Sequence, residues 1–259
     1  MPASVVLARK IYVAGDAQER TLRSLNGQVG NHLSDLDVDV EIELREDGFP
    51  AVTLEGEDEV VARNLLAEAF DEIPTPDDGV REDADDGVES DEADGNDAVA
   101  GFDPEETYTG TLEAWDEDGF VLDAGVPIRV PPSKIDLGPG NPEQIVERFG
   151  LVQHLPMQFQ VTGERWEGDG DGPLVAELAD AERDRLYEWQ RGPGRVTVNS
   201  ATRSEVRATV NRAGHAQDIV TVERLGLLEQ SIVCKESTDP PGLIAAIGEY
   251  LPAELRAVV

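Results

Sequence analysis

Apolar and polar residues along the first 73 positions predict two helices and three strands in the order β-α-β-β-α. The predicted elements are a strand over 5–13, a helix capped by Asp16, strands over 38–44 and 50–54, and a helix over 58–70. Apolar residues recur at helical spacing from Leu22 to Leu36. Over residues 38–44 they alternate with acids, which is typical of a strand with one buried face. Asp47-Gly48 supplies the turn of a hairpin.

Residues 101–190 carry a different pattern, in which short strands dominate. The predicted elements are a hairpin of strands over 108–115 and 119–123, a strand over 126–130, a helix over 142–149, strands over 157–162 and 174–178, and a trailing helix over 182–189. Asn141 followed by Pro142 marks a helix start, because Asn favours the N-cap and Pro the first turn. Three strands, a helix and two strands is the order of a five-stranded OB-type barrel.

Residues 191–259 repeat the β-α-β-β-α order of the first domain. The predicted elements are a strand over 195–199, a helix ending at Gly214, strands over 218–222 and 231–234, and a last helix that begins at Asp239-Pro240. Thr202 and Glu205 form a capping box for the first of these helices. The predicted fold class is therefore α+β, with two small β-α-β-β-α sandwiches flanking an OB-like barrel.

An acidic segment over residues 74–100 separates the first two domains. It contains eleven acids, one Arg and no aromatic residue. Such a segment cannot bury enough apolar surface to offset the entropy of ordering, so we predict a disordered linker. No calcium-loop register fits within it. The predicted domains are 1–73, 101–190 with its trailing helix, and 191–259.

The charge of the chain indicates the solvent in which it folds. It has 55 acidic and 21 basic residues, a net charge of −34, and only three of the cations are Lys. Self-repulsion of this size destabilises a compact fold in dilute salt, whereas about 1 M salt shortens the screening length to about 3 Å. We therefore expect a halophilic protein. The alternative is an acidic protein that its charges solvate in ordinary salt.

The sequence favours a cytoplasmic location without membrane contact. No segment approaches the roughly 18 apolar residues that a membrane span requires. Residues 1–13 lack a secretory layout, because Arg9 and Lys10 follow the apolar residues instead of preceding them. Cys234 is the only cysteine, which excludes an intrachain disulfide.

The third domain departs from the acidity of the rest, since residues 191–259 hold eight acids and eight bases. Candidate contact residues for nucleic acid or a partner are Arg195, Arg203, Arg207 and Arg212. A guanidinium group suits phosphate and stacks on bases. Molar salt removes most of the affinity from counterion release, so a nucleic-acid site there also needs stacking. The alternative is that these arginines pair with the acidic middle domain or with a partner protein.

Two aromatic residues of the barrel hairpin, Trp115 and Phe120, are further candidates for stacking on RNA bases. Core packing or a role in the turn is the alternative for each of them.

Motifs for catalysis and for metal binding are missing from the sequence. It has no nucleophile elbow, no Walker loop and no dinucleotide fingerprint after a strand. His32, His154 and His215 fall in three different domains, without Cys or Asp at ligand spacing. We therefore predict no catalytic residue, no metal, no cofactor and no specific small molecule. An enzyme with a site assembled between domains is an alternative.

Two segments of the chain resemble an archaeal family known as domain of unknown function 2110. They are residues 218–244, which include Leu225-Gly226-Leu227, and residues 144–156. The resemblance extends over the chain except for the acidic segment, which looks like an insertion in a haloarchaeal member. It implies no activity and no catalytic residue. Residues 110–125 also resemble the opening of an S1-type RNA-binding barrel.

These features together predict a non-enzymatic cytoplasmic protein that binds RNA or associates with the transcription or translation machinery. The barrel and the Arg-bearing helix of the third domain would form its contact surface. The alternative is a protein–protein interaction scaffold that makes no contact with nucleic acid.

Overall fold

The computed structural model describes residues 2–74, 101–166 and 172–258. The predicted linker, apart from Pro74, lies outside the described residues. The chain forms a three-stranded sheet, a closed five-stranded barrel and a four-stranded sheet, with helices packed on each. The predicted α+β fold, with a barrel between two smaller units, is confirmed. No helix within these residues is long and apolar enough to cross a membrane.

The N-terminal unit is an antiparallel sheet of order β1-β3-β2 covered by two helices. Its elements are β1 (Ala3–Val6), α1 (Asp16–His32), β2 (Val38–Leu44), β3 (Pro50–Gly56) and α2 (Glu59–Phe70). Leu25, Val52 and Leu66 are fully buried between the helices and the sheet. The predicted cap was wrong: Asp16 is the first helical residue, and Gly15 occupies the N-cap without a side-chain bond.

The middle unit is a barrel in which the strands follow the order β4-β5-β6-β8-β7 and close into a ring. Its elements are β4 (Tyr108–Asp116), β5 (Gly119–Asp123), β6 (Pro127–Val130), α3 (Pro132–Ile135), α4 (Pro142–Phe149), β7 (Pro156–Arg165), β8 (Leu174–Leu178) and α5 (Asp180–Arg191). β6 and β8 pair in parallel, whereas the other pairs are antiparallel. Phe120, Phe149 and Phe159 fill its core. Asn141 caps α4, as predicted, by a capping box with Gln144.

The C-terminal unit is an antiparallel sheet of order β10-β11-β9-β12. Its elements are β9 (Arg195–Val198), α6 (Arg203–Arg212), β10 (Ile219–Arg224), β11 (Gln230–Cys234), α7 (Pro240–Ile247), a 3₁₀ turn (Gly248–Tyr250) and β12 (Leu255–Ala257). The Thr202–Glu205 capping box is present. In both terminal sheets the first strand of the unit pairs with the third, and the third pairs with the second, as in β1-β3-β2 and β9-β11-β10. The two terminal units therefore share the order of their first three strands, and β12 adds a fourth strand to the C-terminal sheet.

Residues 8–13 were predicted as part of the first strand but leave the sheet to contact the other two units. Lys10 Nζ lies 2.8 Å from Glu113 Oε1 and 2.5 Å from Asp123 Oδ2 of the barrel. The strand ends early because this segment joins the N-terminal unit to the barrel.

Tyr12 is the residue of this segment that contacts both other units. Its ring stacks on that of His154 in the barrel unit, with centroids 3.7 Å apart. Its hydroxyl donates to Glu229 Oε1 at 2.6 Å and accepts from the Ser200 backbone N–H at 2.9 Å. One side chain thus connects all three units.

Gly226 lies where the C-terminal unit approaches the barrel, and it has no room for a side chain. A Cβ there would lie 2.0 Å from Glu229 Oε2 and 3.0 Å from Pro156 Cγ. We expect Gly226→Ala to lower the free energy of unfolding by about 1–3 kcal/mol, as overpacking does. Gly30→Ala in α1 is the control, because nothing lies within 4 Å of its Cβ position. It should raise the stability by up to about 1 kcal/mol. Equal effects in chemical unfolding would contradict this packing.

Candidate nucleic-acid interface

Helix α6, which carries three of the four predicted arginines, lies beside α1 of the N-terminal unit. Arg20 of α1 pairs with Glu205 at 3.3 Å. Two turns further along α1, Gln28 accepts a hydrogen bond from Arg224 at the end of β10. α1 therefore presents its 20–28 face to the C-terminal unit.

Both helices carry their acids only in the first turn, Asp16 and Glu19 in α1 and Glu205 in α6. Residues 20–34 and 206–217 contain no Asp or Glu, although the chain has 55 of them. The arginines in these two segments are Arg20, Arg23, Arg207 and Arg212. Beyond their first turns, α1 and α6 therefore carry arginines and no acids, and Glu205 is the carboxylate that lies where the two helices meet.

Arg195, in contrast, performs a structural role. It pairs with Glu223, donates to Ser231 Oγ at 3.1 Å and lies over the Trp189 ring at 5.6 Å. Its side chain is only 14% exposed. The prediction that Arg195 contacts a ligand does not fit this position, because both its charge and its ring contact are already used within the chain.

The exposed face of α6 is bordered by Arg203, Arg207 and Arg212, and we call this face the α6 surface. Arg203 Nε donates to the Val222 carbonyl at 2.6 Å, while Arg207 and Arg212 are exposed. Within the described residues none of the three has a carboxylate within 4.0 Å. At 100° per residue, Arg203 and Arg207 lie on one side of this face and Arg212 on the other.

An open groove of about 290 Å³ runs between α1 and the Arg212 side of α6. Arg20, Arg212 and Tyr250 line it, and Tyr250 is 49% exposed. Glu205 also lines the groove. Against the cost of burial, the hydrogen bonds from Thr202 and then the Arg20 charge lower its pKa, so it remains a carboxylate paired with Arg20. The groove therefore combines the guanidinium group of Arg212, the ion pair of Arg20 with Glu205 and an accessible aromatic ring.

The two aromatic candidates on the barrel lie apart from this surface. Phe120 is fully buried in the barrel core, so its predicted role in stacking was wrong and its packing role is the correct one. Trp115 is half-buried, donates its Nε1–H to Glu143 at 2.6 Å and has the Arg256 guanidinium 5.4 Å above its ring. The structure thus does not bring Trp115 and Phe120 together with the arginines.

Sequence reasoning missed Tyr250 and Arg20. Tyr250 falls in the short 3₁₀ turn after α7, which no periodic pattern identifies. Arg20 stands in the acid-free segment 20–34, and that run was a usable signal in so acidic a chain. Its position beside α6 depends on how the terminal units pack together.

A second polar cluster lies at the junction of the three units and is closed to solvent. Glu229 is 2% exposed and accepts the hydrogen bond from Tyr12. Burial raises the pKa of Glu229 to about 7, against the opposing effect of that hydrogen bond. Burial also raises the pKa of Tyr12. No group of three or more His, Cys, Asp or Glu in the described ranges has the geometry to hold a metal ion.

The buried Glu229 gives a pH dependence with a definite sign. Its pKa rises from 4.5 in the reference state to about 7 in the folded chain. The folded state therefore keeps a proton that the unfolded chain loses, and the contribution to stability falls as the pH rises from about 5 to 8. The wild type loses this contribution as the pH rises, whereas Glu229→Gln lacks the titrating group. The free energy of unfolding of Glu229→Gln minus that of the wild type should therefore increase by up to about 3 kcal/mol over this range. A relative stability that does not change with pH, measured by chemical unfolding, would contradict the assignment.

The fold and this surface define a three-unit α+β protein, in which a closed barrel joins two units whose first three strands have the same order. Three family models match the chain: the DUF2110 N-terminal domain over residues 4–76, the DUF2110 central domain over 102–190 and the DUF2110 C-terminal domain over 193–259. Together they span most of its length, and the chain belongs to the DUF2110 family. No curated protein matches it.

Proposed function

We propose that this protein binds single-stranded RNA through the α6 surface and the adjoining groove, without catalysing a reaction on it. The observation that supports this most directly is a charge imbalance. Arg203, Arg207 and Arg212 have no carboxylate within 4.0 Å in the described part of the chain, although acids outnumber bases by 55 to 21. The phosphate groups of an RNA backbone can pair with these guanidinium groups, for which the protein provides no carboxylate partner within that distance among its described residues.

The groove favours single-stranded over double-stranded RNA. Tyr250 exposes about half of its side chain beside Arg20 and Arg212. An exposed ring stacks on an unpaired base, whereas the bases of a duplex already stack on each other. Stacking also persists in molar salt, where counterion release contributes little affinity. The acidity of the chain, at −34, fits a salt-rich cytoplasm, which is the location we propose.

In this proposal the barrel serves as the frame that holds the terminal units in place. We interpret it as OB-like, because five strands close into a ring with a helix before the fourth. Residues 101–190 hold 20 acids and 6 bases, a balance that repels phosphate. We therefore expect the terminal units, and not the barrel, to contact RNA. The RNA they bind would then bring the protein to the transcription or translation machinery.

Removing the Tyr250 ring tests the proposal. We expect wild-type protein to bind a fluorescent single-stranded RNA in molar KCl, and Tyr250→Ala to bind it about tenfold more weakly or worse, since stacking on one base contributes about 1–3 kcal/mol. Tyr250→Phe is the matched control, because it keeps the ring and should keep most of the affinity. No binding by the wild type, or equal binding by Tyr250→Ala, would refute the RNA function.

A protein scaffold is the second candidate function, and helix α2 supports it. Val60, Val61 and Leu65 are 62%, 51% and 38% exposed on this helix. Apolar side chains grouped on one exposed helix are typical of a surface that a protein partner covers. This surface belongs to the N-terminal unit and involves none of the arginines of α6.

Affinity capture in molar KCl, with and without nuclease, separates the two functions. Partners that are lost on nuclease treatment favour RNA binding through α6. Partners that survive nuclease but are lost from Val61→Lys favour the scaffold, since the substitution places a charge in the apolar surface of α2.

A further inference from the structure

A small basic cavity lies between the N-terminal and C-terminal units, apart from the groove beside Tyr250. It has a volume of about 200 Å³. Its polar lining residues are Arg9, Gln28, His32 and Arg224, and residues 225–227 also line it. Among the described residues that line it there is no Asp or Glu. In a chain of this acidity, a cavity lined by two arginines and by no Asp or Glu among the described residues favours the binding of anions.

The charge of the two arginines is only partly compensated. Arg9 pairs with Asp71 at 3.1 Å, and Asp71 also accepts from Thr109 at 3.1 Å. The carboxyl group of Glu229, which lies against Gly226, is a second acid that interacts with the Arg9 charge. Arg224 donates to the neutral Gln28 amide, and no carboxylate of the described chain lies within 4.0 Å of it. Burial and then the neighbouring Arg203 charge lower the pKa of Arg224. An anion in the cavity would therefore stabilise both guanidinium groups.

We propose that this cavity binds a phosphate group, either as free inorganic phosphate or as the terminal phosphate of a nucleic acid. Guanidinium forks match the geometry of phosphate oxygens, and Gln28 adds an amide. The volume is below the roughly 300–1,000 Å³ of sites that enclose drug-sized ligands, so the cavity takes a phosphate group rather than a whole nucleotide. This inference stands on the cavity itself and does not require the RNA function.

Titration calorimetry with inorganic phosphate in molar KCl tests the site. We expect the wild type to bind phosphate and Arg224→Gln to bind it about tenfold more weakly or worse, because a charge-assisted contact is lost. Arg224 is exposed at the end of β10, so this variant should fold. Arg23→Gln is the matched control: Arg23 is exposed on α1 but does not line the cavity. The absence of phosphate binding by the wild type, or equal binding by Arg224→Gln, would overturn the proposal.

The same RNA oligonucleotide with a 5′-phosphate or a 5′-hydroxyl distinguishes the two sources. Tighter binding of the phosphorylated RNA, lost in Arg224→Gln, supports a terminal phosphate as the ligand. Equal binding of both RNAs together with binding of inorganic phosphate supports the free anion. If neither RNA binds while phosphate does, the RNA function fails and the phosphate cavity stands.

Discussion

Replacing Arg203, Arg207 and Arg212 together by Glu should lower the affinity for single-stranded RNA by on the order of a thousandfold. Each substitution removes a charge-assisted hydrogen bond of about 1.5 kcal/mol or more, and about 1.4 kcal/mol corresponds to tenfold in affinity. Arg207 and Arg212 are exposed, and the hydrogen bond that Arg203 donates among the described residues goes to a backbone carbonyl, so the fold should survive the change. Fluorescence anisotropy in molar KCl measures the affinity, and thermal unfolding checks the fold.

The matched control reverses three cations away from α6, by combining Arg45→Glu, Lys134→Glu and Arg191→Glu. It changes the net charge by the same amount, and it should change the affinity less than tenfold because molar salt screens distant charges. If the control loses as much affinity as the α6 variant, RNA binding depends on total charge and not on this surface.

Truncating Tyr12, which is half-buried, should destabilise the whole assembly by about 3 kcal/mol, the lower end of the cost of replacing an aromatic core residue by Ala. The ring stacks on His154 and its hydroxyl bonds to Glu229 and Ser200, so Tyr12→Ala removes contacts to both other units at once. It also removes the donor to Oε1 of the buried Glu229, which adds to the cost. Chemical unfolding and limited proteolysis in molar KCl both report the change.

Tyr12→Phe separates the ring from the hydroxyl. It keeps the stacking and removes only the two hydrogen bonds, so we expect it to cost about 1–3 kcal/mol. A Tyr12→Ala protein that is as stable as Tyr12→Phe would show that the ring does not hold the three units together.

Local signals in the sequence predicted most of the elements. The Asn141 and Thr202 caps were readable because each cap and its partner lie three residues apart. The alternation over Val38–Leu44 identified β2 for a similar reason. Successive side chains of a strand point to opposite faces, so an apolar face shows as alternation within a few residues. β12 was missed because three residues, Leu255–Ala257, are too few to show a period.

Contacts between units could not be predicted in this way. The hydrogen bond between Tyr12 and Glu229 joins residues that are 217 positions apart, so residues 8–13 appeared to be an ordinary apolar strand. Arg195 looked like its neighbours in the sequence, yet Glu223 reaches across β11 to pair with it and neutralise its charge. The composition indicated which domain departs from the acidic pattern, whereas packing decided which of its arginines are available.

Ultraviolet crosslinking of single-stranded RNA to the wild-type protein in molar KCl, with the sites mapped by mass spectrometry, shows whether α6 and the groove beside Tyr250 hold RNA. We expect crosslinked peptides from α6 and from the segment that contains Tyr250. Crosslinks confined to the barrel, or RNA that leaves no crosslink on the folded protein, would contradict it.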